Sequence, residues 1–335
     1  MSTLRAGVLG LGVMGRHHSR VLSNLDGVEF VGVHDPGDAI PETIQGKAVL
    51  KNLEEFLDLG LDYCVVAAPT IYHLDVGRTL AERGIHALIE KPVASDAASA
   101  YELCRLFADA RLIGGVGHIE RYNPALQSMR RRLEDGLLGE IYQIATRRQG
   151  PFPGRIADVG VVKDLATHDL DLTAWVSQQS YLSVNARTAY RSGRKHEDLV
   201  IAVGTLSKGT IATHTVNWLS PFKERTTVVT GEKGALVADT LTADLTYFEN
   251  GTVKSAWDGV SSFRGVTEGD VTRFALEKKE PLQSEHEAFR DAVLTGDTGA
   301  IVTLAAGTEV VVVAEKLVAD GLFNQLTDIG EHATL

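Results

Sequence analysis

Apolar and polar positions alternate in short blocks from the start of the chain. A run from Ala6 to Leu9 precedes the turn Gly10-Leu11-Gly12-Val13-Met14-Gly15, a helix-like segment to Leu25 and a second apolar run from Val28 to Val33, closed by Asp35. The alternation predicts a helix over Asn52 to Leu59, a strand over Tyr63 to Ala68, a helix over Leu74 to Arg83 and a strand over Ile85 to Ile89. Ser95 is expected to cap a helix from about Asp96 to Ala110, and Leu112 to Val116 reads as a further strand. This βαβ rhythm predicts a doubly wound parallel sheet over residues 1–120, whose ligands bind at the carboxyl ends of the strands.

Beyond Gly117 the pattern changes. A helix over Pro124 to Leu133, a strand over Ile141 to Arg147, the loop Gly150-Pro151-Phe152-Pro153-Gly154 and a helix over Leu165 to Val176 come first. Strands of alternating character follow over Leu182 to Ala189, Asp198 to Leu206, Thr210 to Trp218, Thr226 to Thr230, Gly234 to Asp239 and Asp244 to Phe248. Helices over Ser284 to Leu294 and Ala306 to Val318 close the chain. Residues 121–335 therefore read as an α+β domain with a large, mostly antiparallel, open-faced sheet. A broad sheet face carrying Trp218 and Phe222 invites a second subunit, so a homodimer or homotetramer through this sheet is expected; the same aromatics also suit an ordinary core.

The opening turn carries the first chemistry. Gly10 suits the tight turn, Gly12 removes a side chain where a pyrophosphate must approach the backbone, and Gly15 lets helix and strand pack closely. The N–H groups of Gly12, Val13, Met14 and Gly15 lie at the helix terminus, with a partial positive charge for phosphate. Asp35, twenty residues past Gly15 and at the end of the second strand, can accept from both ribose hydroxyls, although Asp-Pro-Gly is also an ordinary turn. A 2′-phosphate would be repelled there, and Pro36-Gly37-Asp38 brings no Arg or Lys, so NAD is favoured over NADP.

With 335 residues and 44% hydrophobic content the chain can bury two cores. A formal charge of −11 argues against nucleic acid, and Arg130-Arg131-Arg132, followed by Glu134 and Asp135, reads as a solvated helix face. Cys64 and Cys104 form no metal-ligand pattern and read as buried thiols in a reducing compartment; no metal is expected. No apolar run approaches the ~18 residues of a membrane span, and a cytoplasmic protein is expected.

Two further constellations stand at strand or helix ends. Lys91, in Glu90-Lys91-Pro92, can polarise a hydroxyl or ketone oxygen, though a strand-end lysine equally suits solvation. Asp164 and His168 are four apart in Lys163-Asp164-Leu165-Ala166-Thr167-His168 and share a helix face, which suits a proton relay, while a dipole-favoured acid and a core histidine would look the same. Asp169 and Asp171 cannot share that face and read as packing or solvent groups.

The Gly10 to Gly15 turn, Ala68-Pro69-Thr70-Ile71-Tyr72-His73, Glu90-Lys91-Pro92 and Asp164 through His168, in that order, resemble the Gfo/Idh/MocA oxidoreductases over nearly the whole chain. The resemblance implies an N-terminal Rossmann domain, a catalytic Lys91, Asp164 and His168, and cofactor contacts from Ala68, Pro69, Thr70, His73, Glu90 and Lys91. Gly117-His118-Ile119-Glu120-Arg121-Tyr122-Asn123-Pro124 and Gly150 to Ile156 resemble the branch of sugar 3-dehydrogenases. That resemblance implies a sugar or sugar-nucleotide substrate met by His118, Glu120, Arg121, Tyr122, Asn123 and Arg155, together with Lys91, Asp164 and His168. An inositol or cyclitol dehydrogenase is the alternative, and a non-catalytic NAD-binding regulator a second, which has no need of Lys91, Asp164 and His168 together.

Overall fold

A computed structural model describes residues 3–154, 159–251 and 269–325. The chain divides into two compact units, Met1–Tyr122 with Glu280–Val312, and Asn123–Lys279 with Val313–Leu335. The first contains β1 (Leu4–Leu9), α1 (Val13–Leu22), β2 (Val28–His34), β3 (Thr43–Ile44), β4 (Lys47–Leu50), α2 (Leu53–Leu57), β5 (Tyr63–Val66), α3 (His73–Glu82), β6 (His86–Glu90), α4 (Ala97–Asp109) and β7 (Gly114–Gly117). Their sheet has the order β3-β4-β2-β1-β5-β6-β7, parallel except for the short β3–β4 pair, so the strand order reverses at β1 and β5. Ligands of such sheets bind beside that reversal.

The strands of this sheet are buried on both faces. Cys64, Val66, Ala87 and Ile89 enter one core with Leu80, Leu103 and Phe107, while Tyr63, Val65 and Leu88 enter the other with Leu22. Period-two alternation thus feeds two layers of helices. Cys64 lies fully buried, and burial pushes its thiol up. Asp96, not Ser95, caps α4, because its carboxylate accepts from the Ser99 N–H at 2.8 Å.

The second unit carries α5 (Pro124–Glu134), β8 (Ile141–Pro151), α6 (Thr167–Ser177), β9 (Tyr181–Ala189), β10 (Leu199–Leu206), β11 (Ile211–Asn217), β12 (Leu219–Gly231), β13 (Gly234–Asp239), β14 (Asp244–Glu249) and β15 (Val271–Arg273). Its sheet runs β15-β14-β13-β12-β8-β11-β10-β9 and is antiparallel except between β8 and β11. One face packs Ile144, Ala212, Val229 and Leu236 against Leu126 and Met129 of α5 and Leu172 and Val176 of α6. On the other face Ile201, Val203 and Ile211 stay exposed. Trp218 does not join them: it is buried, edge-on to Phe152 at 5.3 Å, whereas Phe222 is exposed.

Two helices follow, α7 (Pro281–Thr295) and α8 (Leu304–Gln325). Residues 280–312 belong to the first unit, not to the second half of the chain as the strand pattern suggested. Phe289 of α7 stacks edge-on against Tyr63 at 5.4 Å, and Leu304 and Val311 of α8 enter the core that holds Leu103. None of the described helices is long and apolar enough to cross a membrane.

Asn123, expected at the sugar, has a structural role. Its Oδ1 accepts from the Ala125 N–H at 3.0 Å, capping α5 ahead of Pro124, and its Nδ2 donates to the Thr240 carbonyl at 3.0 Å. Asn123→Ala is expected to lower unfolding stability by about 1–2 kcal/mol in urea titrations while leaving the Michaelis constant unchanged. A raised Michaelis constant with unaltered stability would return Asn123 to the substrate site.

Candidate active site

β1 ends in the glycine turn expected to cradle a phosphate. Gly10 has φ +95°, and a side chain there would fall 2.6 Å from the Ala67 carbonyl oxygen of the neighbouring β5 turn. A Cβ on Gly15 would fall 1.9 Å from the Gly10 carbonyl oxygen, so these two glycines set how closely α1 approaches its strand. Gly12 is different: nothing lies within 4 Å of the direction its side chain would take. No side chain caps α1, its first turn holds no acid, and the Arg16 N–H makes the helix bond back to the Gly12 carbonyl. The N–H groups of Gly12, Val13, Met14 and Gly15 therefore precede the first helical bond at a helix terminus, with open space on the side-chain side of Gly12, and such a terminus suits a diphosphate.

Asp35 follows β2 and ties two turns together. Its Oδ2 accepts from the Leu11 N–H at 2.7 Å and its Oδ1 from the Gly37 N–H at 2.8 Å. Each oxygen keeps a second lone pair for a ribose hydroxyl, and the carboxylate stays beside the cradle as a like charge to any 2′-phosphate. Pro69 and Thr70 follow β5, next to β1 in the sheet, and the half-buried Ala68 belongs to the same turn.

His73 and Glu90 differ from the cofactor contacts expected of them. His73 is 1% exposed; Nε2 lies 3.0 Å from the Ala68 carbonyl, and Nδ1 lies 3.1 and 3.3 Å from the Pro92 and Val93 carbonyls. Burial holds its pKa below the usual histidine value, and the neutral ring, with a single N–H, donates to one of the turns that follow β5 and β6 while packing between both. Glu90 turns inward: Oε1 meets His18 Nε2 at 2.8 Å and Oε2 accepts from the Lys91 N–H at 3.1 Å. Lys91 itself is half-buried at the carboxyl end of β6, joined to Pro92 by a cis peptide. Beyond β7, His118, Glu120 and Tyr122 are buried and Arg121 half-buried in a 3-10 turn region. The Tyr122 hydroxyl donates to the Ala300 carbonyl at 3.2 Å.

In the second unit Asp164 lies in a π-helical turn, Val162–Ala166, that runs directly into α6. Asp164 is 6% exposed and His168, in the first turn of α6, is half-buried. Such wide turns recur at functional sites because they re-aim side chains within a helix. Glu197 holds the turn's entrance: its carbonyl accepts from the Val161 N–H at 2.9 Å and its Oε1 from the Val162 N–H at 3.1 Å. Gly160 leaves room for that carboxylate, since a Cβ would fall 2.0 Å from Glu197 Oε1. Asp169 is no solvent group either; it makes a buried ion pair with Arg148, Nε to Oδ2 at 3.1 Å. Sequence reasoning missed Glu197 and Arg148, and their only signal was a charged residue inside or beside an apolar strand. Arg194 stacks over Phe152 at 4.0 Å and Trp218 at 4.9 Å, while Arg155, expected over the pocket mouth with Phe152, lies outside the described residues. Among the described residues no cluster of His, Cys, Asp and Glu could hold a metal.

This cradle and these strand-end residues place the chain in a class. It belongs to the Gfo/Idh/MocA family: residues 4–118 match the oxidoreductase family, NAD-binding Rossmann fold, and residues 126–237 match the GFO/IDH/MocA C-terminal domain, together about two thirds of the chain. Its relatives include UDP-N-acetylglucosamine 3-dehydrogenase of Acidithiobacillus ferrooxidans, 28% identical over 63% of this chain and 66% of that protein. Inositol 2-dehydrogenase 2 of Saccharopolyspora erythraea is 27% identical over 58% of this chain and 60% of its own. The matched stretch spans less than two thirds of either relative. Among solved structures, the A. ferrooxidans UDP-N-acetylglucosamine 3-dehydrogenase superposes with a TM-score of 0.84 at 25% identity, over 97% of this chain and 100% of that one. Scyllo-inositol dehydrogenase from Lactobacillus casei, solved with NAD(H) and scyllo-inositol, shares the fold at a TM-score of 0.78 and 18% identity, over 96% and 98% of the chains.

Gly12 and Gly15 make separable predictions. Gly12→Ala is expected to fold normally and weaken NAD binding at least tenfold in fluorescence titration, about 1.4 kcal/mol, whereas Gly15→Ala is expected to lower the melting temperature. Equal NAD affinity in Gly12→Ala and the unaltered protein would remove the phosphate from this turn. The Asp35 carboxylate predicts NAD binding at least tenfold tighter than NADP, and equal affinities in the same titration would remove the ribose contact.

Proposed function

We propose that the protein is an NAD-dependent dehydrogenase that oxidises a secondary hydroxyl of a nucleotide-linked or amino sugar, C3 favoured, or reduces the corresponding ketone. The observation that carries this reading is the open Gly12 cradle on an uncapped helix terminus, with Lys91 at the carboxyl edge of the same sheet. NAD held there supplies the hydride acceptor for a CH–OH group. In oxidation His168, oriented by Asp164, takes the hydroxyl proton, and the Lys91 ammonium stabilises the oxygen as negative charge develops on it. In the reverse direction the same histidine returns the proton. Relatedness to a UDP-N-acetylglucosamine 3-dehydrogenase supports the sugar substrate, and the inositol dehydrogenases support cyclitols as the runner-up.

The exposed sheet face with Ile201, Val203 and Ile211 supports assembly as a homodimer or homotetramer, because apolar β-surface left open invites aggregation. The test of activity is a cofactor-reduction screen with UDP-N-acetylglucosamine, free amino sugars, myo-inositol and scyllo-inositol. With the substrate so found, His168→Ala and Lys91→Ala are each expected to lose about 10²- to 10⁴-fold in turnover with NAD affinity retained. Retention of more than about a tenth of the turnover by either variant overturns the role given to that residue. Preferred turnover of inositols selects the cyclitol reading.

A further inference from the structure

The residues that follow Asp35 in the chain bring no cation to it, but the fold does. β4 pairs with β2 in parallel, Val33 opposite Val49 and His34 opposite Leu50, and the Asp35 N–H donates to the Leu50 carbonyl at 3.1 Å. Lys51, the residue after β4, therefore leaves the sheet at the same edge as Asp35. Its side chain is exposed, and its Nζ donates to the Gly37 carbonyl. Gly37 is also the residue whose N–H donates to Asp35 Oδ1 at 2.8 Å, and a Cβ on it would stand 3.0 Å from that oxygen. The ammonium and the carboxylate thus hold one glycine between them, the first by its carbonyl and the second by its N–H. Among the described residues Lys51 makes no ion pair, so its charge is not committed to an acid. An ammonium has three N–H donors; Gly37 takes one and two remain. His34, buried beside this turn, has Nδ1 3.1 Å from the Leu50 carbonyl, and burial holds the ring below the usual histidine value, so it brings no charge at neutral pH.

We propose that Lys51 is the cation of a latent 2′-phosphate subsite, masked in this protein by the Asp35 carboxylate. The inference goes beyond the dehydrogenase reading and rests on the ribose contact given to Asp35. A 2′-phosphate replaces the hydroxyl that Asp35 accepts from, so it meets like charge there and is repelled. With the carboxylate gone, the same phosphate meets two N–H donors on a cation already ordered against Gly37, and an ordered side chain loses less freedom on binding than a free one. Sites that take a 2′-phosphate bring an arginine beside the second strand; here a lysine from the neighbouring strand stands in that role. Its ammonium is a point charge without the guanidinium fork, so its share is modest, and it is exposed to screening. The preference for NAD is therefore one substitution deep, with no new base required.

Calorimetric titration of the full-length protein with NAD and with NADP, in the absence of sugar, tests this. Asp35→Ser alone is expected to move the ratio of NADP to NAD affinity at least about tenfold toward NADP. Lys51→Met added to Asp35→Ser is expected to remove roughly fivefold of that gain, while Lys51→Arg, which keeps the charge, retains it. Equal NADP affinity in Asp35→Ser with and without Lys51→Met overturns the proposal and assigns the whole gain to lost repulsion. A ratio in Asp35→Ser no different from that of the unaltered protein overturns the ribose contact, and the masking with it. Asp35→Asn, which keeps an acceptor for one of the two N–H partners, carries the same comparison should Asp35→Ser fail to fold. The titration involves no sugar and no turnover, so its failure leaves the dehydrogenase reading standing, and a failed substrate screen leaves the subsite standing.

Discussion

The nucleotide unit depends on one backbone approach: a Cβ on Gly15 would run into the Gly10 carbonyl, and a Cβ on Gly10 into the backbone of Ala67. With any other residue at either position the helix must retreat from β1. Its terminal N–H groups would then no longer stand at the sheet edge where the β5 turn also ends. The partial positive charge of a helix terminus falls off within a turn, so the whole electrostatic use of α1 rests on that contact. Asp35 gains its place from the same closure, because the Leu11 N–H that it accepts belongs to the closed turn.

Charge is distributed unevenly along the carboxyl edge of this sheet. The side-chain direction of Gly12 is open, while two strand-end groups are turned inward or braced: Glu90 toward His18, His73 toward three carbonyls. The second unit uses a related device, with Glu197 bonded to the turn that carries Asp164 and Asp169 held by Arg148. In both units the polar groups that could touch substrate are flanked by polar groups that cannot, since their hydrogen bonds are already committed within the fold.

Much of this was legible in the chain because it is local. Gly10, Gly12, Gly15 and Asp35 act through spacing within one βαβ stretch, and β1, β5 and β6 are short, mostly apolar runs of the kind a parallel sheet buried on both faces accommodates. Lys91, Asp164 and His168 could be singled out because each stands at an element's end. The illegible part is non-local. Nothing in the sequence around Glu90 or His73 says that their partners come from α1 or from carbonyls some twenty residues away, and Asn123 looks like a pocket residue until Thr240 is seen against it. The short strands β3, β4 and β15 have too few residues to show a period, and alternation left Trp218 and Phe222 open between an outer face and a core, which the fold divides between them.

The return of residues 280–312 to the first unit also orders the life of the nascent chain. When Tyr122 has left the ribosome, β1, β5 and β6 can pair, but the layer containing Tyr63, Val65 and Leu88 lacks Phe289, Ala292 and Ile301. All of the second sheet must be synthesised before that layer is covered. Until then the molecule carries a half-finished hydrophobic surface, and the second unit, divided in its turn, receives its closing segment from Val313 onward last of all.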